Sequence, residues 1–358
     1  MKLPIFPFAV GACLMTTIAA AGDLTIVSWG GAYTKSQTEA YFKPWMASTG
    51  YRILSEDYSG GLSEVKAQVE AGNVTWDIVD VEDAEAILGC DEGLFEEIDP
   101  EILPAAPDGT PAEEDFLEGA IGDCAIGTVA WSTAYAYNRE RLSPPPSTIQ
   151  DFFDLEQFPG RRGMRKTPKV NLEMALVADG VPADQVYEVM ATPEGIDRAF
   201  AKLDSIKEHV LWWEVGAQPP QLLVDGEVVM STAYNGRIFN AIAAEGQPLA
   251  MVWDAQVLAG DNWAVVKGAP NLELALDFLR FASMPENMAV QASWISYSPV
   301  RRSAFERVGS YHADPDLKMG PHLPTWPDNM KTAIRNDAEF WADHVDELNE
   351  RFNAWLIK

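Results

Sequence analysis

The 358-residue chain carries 54 acidic and only 26 basic residues, a formal charge of −28. A surface this negative repels nucleic acid and anionic lipid and so excludes both as partners, leaving cations as the class it attracts. With three cysteines, four histidines and no C-x-x-C motif, the composition also speaks against a metal or redox centre. No cofactor is expected.

The first 21 residues read as a secretory signal. Lys2 precedes an apolar run that ends in Ala19-Ala20-Ala21, a small-residue cleavage site. The run is shorter than the roughly 20 residues that span a bilayer. The mature chain is therefore expected to be exported to the periplasm without membrane insertion. Removing the signal takes away Lys2 and no acid, so the formal charge goes from −28 to −29. Cys13 leaves with it, and Cys90 and Cys124 remain. An even pair in an oxidising compartment reads as one disulfide.

The rest of the chain alternates strand-like and helix-like patterns. "LTIVSW" is a short buried strand, "TKSQTEAYFKPWMASTG" has apolar residues at helical spacing, and "YRILSEDYS" is a second strand. "LSEVKAQVEAG" is a helix stopped by Gly72, and "WDIVDVED" is a third strand. This β-α-β-α-β rhythm predicts a parallel sheet with helices on its faces. Further on, "AIGTVAWSTAYAYNRERL" holds two strand-like runs before the Pro144-Pro145-Pro146 break. "TIQDFFDLEQFPGRRG" reads as a helix and then a turn, and "NLEMALVADG", "PEGIDRAFAKLDSIKEHV", "PPQLLVDGEV" and "VVMSTAY" add helices and strands. "LAGDNWAVVKG" is a strand, "NLELALDFLRFASM" an amphipathic helix, and the segment from Asp328 to Lys358 is helical and amphipathic. The length predicts two domains.

Several stretches together resemble the periplasmic spermidine/putrescine-binding proteins, the solute receptors of ABC importers. They are "IVSWGGAY", "GNVTWDIVDVED", "GTVAWSTAYAYN", "DFFDLEQFPGRRGM", "LLVDGEVVMSTAYNGRIF", "GDNWAVVKGAPNLELALDFLRF" and "ISYSPVRRSA", and they cover nearly the whole mature chain. The resemblance implies a two-lobed periplasmic binding protein fold of type II, with two crossing strands as the hinge. The first lobe would comprise residues 22–134 and 262–312, and the second residues 135–261 and 313–358. An ABC permease and ATPase in the inner membrane are the implied partners.

The resemblance also implies the ligand contacts. Trp29 and Tyr33 stand at the end of the first strand, Glu82 and Asp83 after the third, and Gly216 and Gln218 in "LWWEVGAQPP". Tyr234 is the aromatic of an aromatic-Asn-Gly turn, and Asp261 is the carboxylate on the second crossing strand, which pairs with a ligand ammonium. Trp131, Trp213 and Trp263 are candidate walls, because aromatic faces attract ammonium by about 0.5–2 kcal/mol. The sequence departs from the polyamine receptors in two places. "RKTPKVNLEMAL" offers Lys166 and Lys169 and no acid before Glu173, and Arg237 follows the Asn-Gly pair. Arginine holds a carboxylate as a planar fork. Asp261 at one end and Arg237 at the other suit a ligand with an ammonium and an anionic group, such as 4-aminobutyrate; a polyamine such as putrescine or spermidine is the alternative. Arg237 could instead pair with Glu227 or Asp225, and Asp261 could brace its strand.

Enzyme chemistry finds little support. There is no G-x-S-x-G or H-E-x-x-H motif, and no His stands beside a candidate nucleophile. Glu96-Glu97 is a loop pair of the kind that is usually solvated. A non-catalytic solute receptor is the leading reading, and an exported hydrolase is the other.

Overall fold

The computed structural model describes residues 23–358; the signal expected over residues 1–21, with Cys13, lies outside the described residues. Strand β1 (Asp23–Ser28) is buried almost throughout, as a parallel strand covered on both faces must be. It pairs in parallel with β2 (Arg52–Asp57) on one side and β3 (Ile78–Glu82) on the other. The helical stretch after β1 runs from Gly31 to Thr49 and stops where Gly50 turns left-handed; the helix Ser63–Ala71 stops the same way at Gly72.

The segment expected to hold two strand-like runs is a single strand, β4 (Ala125–Asn138), buried along all 14 residues. Its polar middle, Thr128, Ser132 and Thr133, resembles a break in the sequence, but those residues are buried where the strand passes from one lobe to the other. The chain continues through β5 (Arg162–Arg165), β6 (Val210–Trp213) and β7 (Met230–Tyr234) to β8 (Leu249–Val265), which begins nine residues before the stretch predicted for it. The order across the molecule is β2-β1-β3-β8-β4-β7-β5-β6. Parallel strands lie at both ends, and antiparallel β4 and β8 belong to both halves.

Each half has its own core. Leu24, Ile26, Trp45, Ile78, Trp263 and Phe278 fill one. Phe152, Met164, Leu176, Phe200, Trp341 and Phe352 fill the other. Cys90 and Cys124 are bridged, with Cα atoms 5.6 Å apart. The C-terminal segment is not helical from Asp328. Ile334–Arg335 first adds a short parallel strand to β8, and the helix Ala338–Leu356 then starts at Asp337, whose carboxylate accepts from the Phe340 amide at 2.9 Å. This last helix packs into the second core and also against the helix Asp83–Asp91 of the first half.

Candidate functional site

In a two-lobed fold the strand ends of the halves meet at the interlobe cleft, the place where open α/β sheets hold ligands, and here the Lys169–Glu82 and Arg237–Gly30 contacts bridge it. On the first wall, β3 alternates Val79 and Val81 with Asp80 and Glu82, so both acids share one face. Asp80 is fully buried and accepts hydrogen bonds from Gln37 Nε2 at 2.5 Å, Trp29 Nε1 at 3.2 Å and Ser28 Oγ at 3.5 Å. Burial outweighs those bonds and pushes its pKa up to about 7. Glu82 stands opposite Asp261 in the β3–β8 ladder. Asp261 Oδ1 accepts from Trp131 Nε1 at 2.9 Å. Burial, and then the charges of Asp80 and Glu82, hold the Asp261 carboxyl well above the usual range. Asp261 has no ion pair among the described residues. A buried carboxylate in that position calls for a cation.

The second wall supplies the positive charge. Arg165 ends β5, with its guanidinium 5.7 Å from the centre of the Tyr234 ring. Lys169 Nζ reaches across to Glu82 Oε2 at 2.7 Å. Arg237 does not follow a turn, because the helix Asn235–Ala243 begins directly after Tyr234 and places Arg237 in its first turn. Asn235 fixes that start: its Oδ1 accepts from the Ser132 amide at 3.0 Å and its Nδ2 donates to the Ser296 carbonyl. Arg237 Nη2 donates to the Gly30 carbonyl at 3.4 Å, and its Nε is buried without a partner among the described residues. Gly31 allows this approach, since a Cβ there would lie 2.7 Å from Arg237 Nη1. Neither Glu227 nor Asp225 pairs with Arg237; Asp225 accepts from Gln221 Nε2 at 2.7 Å.

Aromatic rings line the space between. Tyr33, Trp131 and Tyr297 are buried together, with Trp29 and Tyr234 packed against them. Trp131 meets Tyr234 edge-on at 5.2 Å, Trp213 meets it at 5.7 Å, and Tyr33 lies 5.4 Å from Tyr297. Gly216 makes room for Tyr234, because a Cβ would sit 2.7 Å from the ring.

Three residues expected to touch ligand have other work in this structure. Both Asp83 oxygens are taken, by the Gly260 amide at 2.7 Å and Asn262 Nδ2 at 2.9 Å, so this side chain braces β8. Gln218 Oε1 accepts from the Glu214 and Val215 amides at 2.9 and 2.8 Å and holds its own turn. Trp263 is 1% exposed and packs edge-on against Phe278 at 5.7 Å inside the first core. Sequence reasoning gave no role to Asp80, Arg165, Lys169 or Tyr297. A usable signal existed for Asp80, since acids at alternate positions of an otherwise apolar strand mark one face.

Aromatic rings between two lobes, with a carboxylate on one wall and arginines on the other that make no ion pair among the described residues, define a receptor for a small polar solute. Residues 40–325 match the family described as bacterial extracellular solute-binding protein. The chain belongs to that family. It is 45% identical over 357 residues to the gamma-aminobutyric acid-binding protein of Pseudomonas aeruginosa, covering 100% of this chain and 96% of that one. Among solved structures, MotA from A. tumefaciens B6 in complex with glucopine matches at a TM-score of 0.83 with 30% identity, over 94% of this chain and 100% of MotA. A GABA receptor matches at a TM-score of 0.80 with 32% identity, over 94% of this chain and 98% of the receptor.

Proposed function

We propose that the chain is the periplasmic solute receptor of an ABC importer, exported by a cleaved signal, and that its ligand is 4-aminobutyrate. The observation that carries this reading is the division of charge in the cleft: among the described residues Asp261 makes no ion pair on one wall, and Arg165 and Arg237 make none on the other. The ligand ammonium goes to Asp261 against the faces of Trp131 and Tyr234, and the ligand carboxylate goes to the arginines. A diamine would bring an ammonium against Arg165 and Arg237 and desolvate like charges together, which is costly. The two GABA-binding relatives support the same choice. Binding draws the two lobes together about the crossing strands β4 and β8, and the closed form is the one an importer's permease and ATPase would receive. Nothing in the reading requires catalysis, and the relatives are named as binding proteins.

Calorimetry with 4-aminobutyrate and putrescine tests the reading. Wild type is expected to prefer the amino acid. Arg237→Ala should lose on the order of 2–5 kcal/mol toward it by leaving a buried carboxylate underpaired. Asp261→Asn should weaken both ligands. A wild type that prefers putrescine, with Arg237→Ala neutral for both, overturns it.

A further inference from the structure

Lys169 and Glu82 form an ion pair that the proposed ligand does not need. The side chains are only 13% and 14% exposed, the separation is 2.7 Å, and the partners come from opposite walls of the cleft. Glu82 is the register partner of Asp261, so without Lys169 the first wall would present two adjacent unpaired carboxylates. Burial works against the Lys169 ammonium, but the charge and hydrogen bond of Glu82, with Asp83 and Glu85 behind it, carry its pKa above the usual value. Glu82 is likewise held below the usual carboxylate range, because Lys169 and Arg165 outweigh its burial.

The backbone next to Lys169 is strained. Val170, the next residue, sits at φ 75°, a conformation that a β-branched residue keeps only where the surroundings enforce it. Asn171 supplies part of that enforcement, donating from Nδ2 to the carbonyls of Arg165 at 2.7 Å and Thr167 at 2.6 Å. The same short loop thus positions both Arg165 and Lys169.

We infer that Lys169 is a specificity-determining residue: its ammonium is a resident cation that occupies Glu82, leaving one carboxylate and two arginines for the ligand and so excluding diamines. This rests on the proposed 4-aminobutyrate site. With Lys169 gone, Glu82 either takes a second ligand ammonium or captures Arg165 from the ligand carboxylate. Both outcomes favour a diamine over the isosteric amino acid.

The test is the ratio of putrescine to 4-aminobutyrate affinity, by calorimetry at one ionic strength, in wild type, Lys169→Met, Lys169→Arg and the charge-balanced double variant Glu82→Gln/Lys169→Met. The ratio should move toward putrescine by about tenfold or more in Lys169→Met. It should stay near wild type in Lys169→Arg and return toward wild type in the double variant. If Lys169→Met weakens both ligands alike, or if the double variant shifts as far as the single one, Lys169 is a strut between lobes and the inference falls. Should Lys169→Met not fold, the double variant and Lys169→Arg decide: a shifted ratio in either sinks it. Failure of the underlying ligand reading shows separately, as a wild type that does not prefer 4-aminobutyrate.

Discussion

Asp80 and Glu85 are pushed up to about 7, chiefly by burial, and Asp261 is raised as well. A carboxyl whose pKa is higher folded than unfolded contributes stability that is complete below the unfolded value near 4 and is lost as pH rises through the folded value. The lowered carboxyls, such as Asp115 and Glu96, act in the opposite sense, and their contribution is already complete above about pH 5. As pH rises from about 5 to about 7 these buried acids therefore make the unliganded protein progressively less stable, and a ligand ammonium beside Asp261 offsets that loss. The rise in Tm given by saturating 4-aminobutyrate should grow over this range, and Asp261→Asn should remove most of the growth. A rise that stays flat with pH would show that the ammonium does not meet these acids. At this scale the sequence disclosed residue types but not partners. Asp261 and Tyr234 could be singled out, whereas the bonds of Asp83 to Gly260 and Asn262 span about 180 positions and left no local trace.

Among the elements, the C-terminal helix depends on one buried acid. Glu173, on the helix Asn171–Ala178, accepts from Tyr187 Oη and from Trp341 Nε1, both at 2.9 Å. Trp341→Phe keeps most of the apolar volume and removes one donor from a buried carboxyl, so it should cost about 1–3 kcal/mol in urea unfolding. An unchanged midpoint would mean that Tyr187 alone satisfies Glu173. Element types were legible: the short apolar runs of β1 and β3 are strands buried almost throughout, and the helices ending at Gly50 and Gly72 stop at the expected glycines, while β2 is a strand although it is mostly exposed. The lengths of β4 and β8 were not. Polar residues in the middle of a strand look like an interruption unless another lobe is known to cover them, and Asp328 to Asp337 share the amphipathic composition of the helix they precede.

For the molecule as a whole, the contacts of Lys169 with Glu82 and of Arg237 with Gly30 exist only when the lobes meet. Small-angle scattering should give a smaller radius of gyration with saturating 4-aminobutyrate than without it, because contacts on both walls favour the closed state. An unchanged radius at saturation would count against hinged closure. The strand order has a different consequence, for how the chain is assembled. β8 lies between β3 and β4 yet comes more than a hundred residues after either, so the first-lobe sheet must wait with an open slot while β5, β6 and β7 of the second lobe are made. Cys90 is the next-to-last residue of the helix that follows β3, and Cys124 immediately precedes β4. Once oxidised, their bridge pins the two sides of the slot at the proper spacing, and the late strand arrives at a prepared gap bordered by edges that could otherwise pair with each other or with another chain.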